Sequence, residues 1–348
     1  MQEYRLKDRE KAILRFVIHQ FILTANPVGS RNISKKFDLG LSPASIRNVM
    51  ADLEDMGLLG HPHTSAGRMP TDKGYRVYVD SLMDPPLLDV GAKKIIENNL
   101  SKAQNETEEL LKITSSILSD LTNQLAMVTY PKFETAVLEK IQIVQLSSIR
   151  ILVIVTVNSG LIKTITLEID AEVKEAQISS VQQFLNERLA GLKFSEIRNS
   201  FEDRVKDFNE ENYRPIIRVF LDSVDKIFTD VSSEKAFVSG AKNILKQPEF
   251  ENHDQFQSVI ELIENKDIVI HIMDKSQPQP NQEFTIKIGG ENEDEKLSDY
   301  SMITKEYKVG DMQGTLGIMG PKRMDYSRIV AAVVYIADQL TQELTKQR

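Results

Sequence analysis

The stretch that most constrains the fold is residues 30–57. Ser30 can cap a brief helix running to about Phe37, Asp38-Leu39-Gly40-Leu41 leaves room only for a short turn, and Ser42-Pro43 opens another helix that Gly57 ends. Each punctuating residue has a physical reason. A Ser hydroxyl satisfies an amide left free at a helix start, proline at the first position gives up an N–H that has no partner anyway, and glycine takes the left-handed conformation at a helix end. Upstream, residues 8–23 place Ile13, Phe16, Val17 and Phe21 on one helical face, and Ala25-Asn26-Pro27 stops that helix. The second and third helices, joined by a tight turn, make a helix-turn-helix arrangement.

The third helix divides into two faces. Ile46, Val49, Met50 and Leu53 follow the i, i+3, i+4, i+7 pattern and should pack inward, which leaves Ala44, Ser45, Arg47 and Asn48 outward near the N-terminal end. Arg and Asn can each make bidentate contacts to purine edges, and Ser or Ala can meet a phosphate or a thymine methyl. Residues 58–71 then place short apolar pieces on either side of a polar, glycine-bearing tip, which predicts a β-wing carrying Arg68. Arg47 and Asn48 also fit a merely solvated helix face; it is their combination with the capped turn and the wing that points to DNA. His61 and His63, without a Cys or a third ligand nearby, make a poor metal site.

Charge is relevant because phosphate binding needs local positive potential, and the chain as a whole carries −8. Residues 1–76 hold 12 Lys/Arg against 8 Asp/Glu, whereas residues 77–348 hold 31 against 43. A basic head thus sits on an acidic body, although a split of this size also arises by chance. The chain has no Cys, which removes disulfides, thiolate nucleophiles and iron–sulfur clusters from consideration. Its N-terminus lacks an apolar signal core, and its longest apolar runs, 151–157 and 329–337, fall short of the roughly 18 residues of a membrane span. No membrane association is expected, and a cytoplasmic location is the default.

Asp84-Pro85-Pro86 marks a boundary. Beyond it Ile96, Leu100, Ala103, Thr107, Leu110, Thr114, Ile117 and Leu121 recur by threes and fours, predicting a long polar helix whose seam faces either a second copy or its own domain. Residues 137–146, 151–157 and 161–169 read as strands of an antiparallel meander, with Asn158-Ser159-Gly160 as a turn. Helices are expected around 178–189, 194–201 and 213–228. From Glu234 the pattern predicts a helix through Leu245, a helix at 255–263, strands at 268–273, 284–288, 303–309 and 314–319, and a closing amphipathic helix over 327–344. The fold class is therefore multidomain α+β. Signatures of phosphate loops, nucleophile elbows and zinc helices are absent, the five histidines are scattered, and the acidic run 291–295 reads as a solvated loop. Neither an enzyme nor a cofactor is expected.

Four stretches carry a family resemblance. Leu41-Ser42-Pro43-Ala44-Ser45-Ile46-Arg47-Asn48-Val49-Met50-Ala51-Asp52-Leu53-Glu54 and Thr64-Ser65-Ala66-Gly67-Arg68-Met69-Pro70-Thr71-Asp72-Lys73-Gly74-Tyr75-Arg76 resemble the heat-inducible transcription repressor family HrcA. Asn243-Ile244-Leu245-Lys246-Gln247-Pro248-Glu249-Phe250 and Gly317-Ile318-Met319-Gly320-Pro321-Lys322-Arg323-Met324-Asp325-Tyr326 agree with the same family in the same order. Ser45, Val49, Met69 and Lys322 depart from its usual residues, and none removes a group on which the reading depends.

The resemblance implies a winged helix-turn-helix DNA-binding domain at 1–80, a discontinuous GAF-like domain at 87–136 and 232–348, and an inserted dimerisation domain at 137–231. The strands at 137–169 can alternatively belong to the GAF-like sheet. It further implies a homodimeric repressor of chaperone operons of the groE and dnaK type, acting on double-stranded DNA at an inverted-repeat operator called CIRCE and kept active by the GroEL chaperonin. On this reading Ala44, Ser45, Arg47 and Asn48 read or approach bases, Lys35, Lys36, Thr64, Ser65 and Arg68 hold phosphates, and Ser42 at the helix start belongs to the same DNA-binding set. In the motif at 317–326, Asp325 or Ser327 caps the last helix with Arg323 paired locally, or the motif is a contact surface. A ligand-responsive regulator, with the C-terminal domain as a small-molecule sensor, is the rival reading.

Overall fold

The computed structural model describes residues 6–36, 40–62, 67–102, 107–207, 214–229, 236–251, 257, 260, 261, 263–276 and 282–346. Helices α1 (Asp8–Thr24), α2 (Ser30–Lys36) and α3 (Pro43–Asp55) come first, followed by the hairpin of β1 (Leu59–Gly60) and β2 (Met69–Pro70). Helix α1 stops where Ala25 turns left-handed, φ 55°, and donates its N–H to the Phe21 carbonyl at 2.9 Å. Ile13, Leu14, Val17 and Ile18 of α1 meet Ile33 of α2 and Ile46, Met50 and Leu53 of α3 in one buried core. Each such aliphatic side chain contributes about 1.5–3 kcal/mol through burial.

Helix α4 (Asp72–Val77) follows, capped by the Thr71 hydroxyl, which accepts from Gly74 N at 3.1 Å, and it continues into a π-helical turn over Tyr78–Leu82. Together α1–α4 and the hairpin form the head. Gly74 is held against the hairpin so closely that a Cβ there would lie 2.1 Å from the Leu58 carbonyl oxygen. Gly74→Ala is therefore expected to destabilise the head by about 1–3 kcal/mol. An unshifted thermal transition for this variant would contradict the packing of α4 on the hairpin.

The repeat read as one long helix is divided into α5 (Val90–Leu100) and α6 (Thr107–Thr122), with 103–106 outside the described residues. Its seam faces its own chain: Leu110, Thr114 and Ile117 are buried, and α6 packs on β3 (Leu125–Thr129) and on the C-terminal helix. The expected meander follows as β4 (Leu138–Ser147), β5 (Arg150–Val157) and β6 (Ile162–Glu168), a three-stranded antiparallel sheet of its own. Helices α7 (Glu175–Leu189), α8 (Phe194–Val205), α9 (Arg214–Asp222) and α10 (Val224–Phe228) complete this unit.

An edge strand presents unpaired backbone groups, and here α7 covers them with side-chain amides. Asn186 accepts from Ile141 N at 2.7 Å and donates to Ile141 O at 2.8 Å, while Gln182 accepts from Ile143 N at 2.8 Å. The opposite face of the sheet stays open, with Val144, Leu146 and Ile162 exposed by 44, 54 and 58 %.

The chain then returns to β3. Strand β7 (Ala236–Ser239) pairs with it, a short α11 (Ala241–Ile244) and α12 (Lys266–Lys275) follow, and β8 (Thr285–Ile288), β9 (Tyr300–Val309), β10 (Met312–Pro321) and α13 (Tyr326–Lys346) end the fold. The five strands run in the order β7-β3-β10-β9-β8, every pair antiparallel. Helices α6 and α13 cover one face of this sheet and α12 the other.

Two expectations are corrected, and one strand has no counterpart among them. Residues 268–273 are helical, not a strand: Asn265 caps α12, and Val269, Ile272 and Met273, at helical spacing, are buried against the sheet. Residues 236–239 form β7 instead of the start of a helix, and only 241–244 are helical. Strand β3 was not anticipated because, buried at all five positions, it lacks the alternation that betrays a half-exposed strand. The helix expected at 255–263 lies largely outside the described residues.

Candidate nucleic-acid interface

The N-terminal end of α3 is built by its cap. Ser42 is extended, with φ −67° and ψ 154°, and its hydroxyl accepts from Ser45 N at 3.1 Å while lying 3.0 Å from the Ser45 hydroxyl. Pro43 occupies the first helical position. With Ile46, Met50 and Leu53 buried and Val49 half-buried, the helix turns Ala44, Ser45, Arg47 and Asn48 to solvent, all four exposed. No acidic residue stands in the first turn, whereas Asp52, Glu54 and Asp55 crowd the other end. The helix dipole makes the N-terminal end attractive to anions, so α3 is polarised toward phosphate at the end that carries Arg47.

Lys35 and Lys36 end α2, both exposed, and Lys36 Nζ donates to Gln20 Oε1 at 2.8 Å. Arg68, expected on the wing, is turned inward: its Nη2 lies 2.6 Å from Glu54 Oε2 and its side chain is 24 % exposed. Its backbone bridges to Val28, with N–O distances of 2.8 and 2.9 Å. His61 Nδ1 meets the other oxygen of Glu54, so one carboxylate of α3 gathers both Arg68 and His61. Nothing in the linear spacing of Glu54 announces this, because the hairpin alone brings Arg68 back beside it. Thr64, Ser65 and His63 lie outside the described residues.

Residues 108–330 match the family model described as HrcA protein C terminal domain. The heat-inducible transcription repressor HrcA of Chlorobium phaeobacteroides strain BS1 is 38 % identical over 354 residues, covering 99 % of this chain and 100 % of that one. The chain belongs to the HrcA family. It is accordingly a heat-inducible transcription repressor. The HrcA of Chlorobaculum tepidum agrees at 39 % identity over 351 residues and 97 % of both chains. A crystal structure of a hypothetical protein at 2.2 Å resolution superposes with a TM-score of 0.60 at 20 % identity, covering 99 % of this chain and 100 % of that one, a likeness of fold alone.

In this HrcA chain the motif at 317–326 ends β10 and starts α13. Asp325 caps α13, its carboxylate accepting from Arg328 N at 3.2 Å, and Arg323 Nη2 donates to Glu249 Oε2 at 2.9 Å. Among the described residues no helix is long and apolar enough to cross a membrane. For the HrcA head, Ser42→Ala should cost about 1 kcal/mol, the usual worth of a serine cap. A calorimetric transition unchanged by that substitution would show that Ser42 does not hold the end of α3.

Proposed function

We propose that this chain is a non-enzymatic, cytoplasmic, homodimeric repressor that sets the N-terminal end of α3 into the major groove of an inverted-repeat operator. The observation that carries this reading is the capped, acid-free end of α3, where Ala44, Ser45, Arg47 and Asn48 stand exposed together. Residues 1–80 are the winged helix-turn-helix, 87–136 with 232–348 the GAF-like unit, and 137–231 the inserted dimerisation unit. A two-fold dimer presents two α3 helices to successive major grooves about one helical turn apart, or a multiple of it, and the symmetry of the operator mirrors that of the protein. Arg47 and Asn48 take base edges, Ser45 and Ala44 approach them, and Ser42, Lys35, Lys36 and the wing residues Thr64, Ser65 and Arg68 hold the backbone. For Arg68 this requires exchanging Glu54 for a phosphate.

The family resemblance supports the finer assignments, namely the CIRCE operator, the groE- and dnaK-type operons and maintenance by the GroEL chaperonin. A chain of several units folds through aggregation-prone intermediates, so titration of chaperonin by unfolded protein would release the operator. Anisotropy with an inverted-repeat duplex and a scrambled duplex of equal length tests the reading, over a salt series and with and without chaperonin. The expected result is two subunits per inverted repeat, with log K falling against log salt at about −0.9 per phosphate contacted. Equal, weak binding to both duplexes would refute the DNA reading. Equal recovery of operator binding with and without chaperonin would remove the chaperonin step alone.

A further inference from the structure

Head and body are joined by more than the chain that links them. Asp72, Tyr75 and Arg76, at i, i+3 and i+4 on α4, all meet residues of the five-stranded unit. Asp72 accepts from Gly290 N at 3.0 Å through Oδ2 and from Lys322 Nζ at 2.8 Å through Oδ1. The loop after β8 admits that carboxylate because Gly289, at φ +53°, has no side chain: a Cβ there would lie 2.1 Å from Asp72 Oδ2. Arg76 spans the junction, with Nε donating to Glu291 Oε1 at 2.8 Å and Nη2 to the Ile286 carbonyl at 2.6 Å, and it also reaches the second Glu291 oxygen.

The other side of the head is fastened as well. Arg323 Nη1 donates to the carbonyl of Ile22, near the end of α1, at 3.3 Å, and the Ser327 hydroxyl donates at 3.0 Å to the carbonyl of Asp84, in the link that leaves the head. Between the two sides the Tyr75 and Tyr326 rings pack 5.9 Å apart. Burial pushes both hydroxyls well above the ordinary phenol range, so this pair stays uncharged. Half-exposed ion pairs contribute little net stability, whereas forked arginine contacts fix orientation. The junction is therefore suited to setting an angle more than to holding the fold together.

We propose that Asp72, Arg76, Lys322 and Arg323 are positioning residues for operator recognition: by clasping the head they fix the angle at which α3 stands on the body, and so select the half-site separation a dimer accepts. This rests on the DNA-binding reading above. A head free to swing would engage a range of separations, whereas a clasped head engages one, because avidity is lost when geometry forbids simultaneous contact.

The test compares the full chain with its R76Q/K322Q and R323Q variants. The chain has no cysteine, so Asp55→Cys on the head and Lys308→Cys on the body, both exposed positions, accept spin labels uniquely. With labelled chains diluted into an excess of unlabelled ones, so that a dimer carries a single labelled subunit, the parent should give one narrow label-to-label distance and the variants a broad one. The parent should also lose about 100-fold in affinity when a few base pairs are inserted between half-sites, while the variants discriminate little and keep the parent's affinity for a single half-site. Retained half-site binding shows that the variants fold. Equally narrow distances in parent and variants would overturn the clasp, and broad distances with spacing discrimination intact would overturn its role in selecting the operator. Should the parent fail to prefer any inverted repeat, the DNA-binding reading falls and the operator role with it, while the distances still report whether the clasp holds the head.

Discussion

Arg47→Ala should remove operator recognition while leaving the fold intact. Arg47 is exposed one position beyond the buried Ile46, so its removal opens no cavity and breaks none of the contacts that hold α3 in the head core. If its guanidinium takes a guanine edge in both grooves, the loss is about 1–3 kcal/mol per half-site, and roughly twice that over an inverted repeat when the two sites act independently. The base at the contacted position should also become interchangeable, which a series of single-base-substituted duplexes reads directly. Lys36→Ala makes the contrast: it should weaken all sequences alike and lower the salt slope by about 1 per subunit. An Arg47→Ala protein that kept both affinity and base preference would move the recognition surface off the N-terminal half of α3.

The second large effect concerns assembly. The open face of the three-stranded sheet carries Val144 opposite Leu152 and Ile162 opposite Thr156, flanked by further threonines from β6. Substituting Val144→Lys together with Ile162→Lys should convert the proposed dimer into folded monomers, because both side chains are largely solvated within one chain and neither is part of its core. Sedimentation equilibrium reads the change in mass, and the far-ultraviolet spectrum should not alter. Operator affinity should then fall by about 10²–10⁴-fold, the usual worth of tethering two sites. A variant that remained dimeric would place the two-fold contact elsewhere, with the exposed Leu87, Val90 and Ile95 the next surface to test.

Much of the architecture is legible in local chemistry. Ser42-Pro43 and Gly57 bracket α3, observed at Pro43–Asp55, because a cap hydroxyl, a first-turn proline and a left-handed glycine act within a few residues of themselves. The meander of β4–β6 is legible for a related reason: with one face open, its strands β5 and β6 alternate buried and more exposed positions. The double-covered sheet defeats the same reasoning. Strand β3 shows no period, and the isoleucine-rich 268–273 segment has the composition of a strand yet packs as a helix, since Asn265 caps it and Val269, Ile272 and Met273 share one face.

The sequence by itself determined that three short helices form in the head, about where each starts and stops, and that Ala44, Ser45, Arg47 and Asn48 occupy one outward face, because all of these follow from dihedral preferences and a 3.6-residue period. Only the tertiary structure decided that Glu54 holds Arg68 and His61, that Asp72 lies on the Gly289-Gly290 backbone, and that Arg76 crosses to Glu291 and Arg323 to Ile22. These contacts join residues up to 301 positions apart. Pairings between charged groups have no periodicity, and any Lys or Arg can serve any carboxylate, so their partners are set by the packing that brings the elements together.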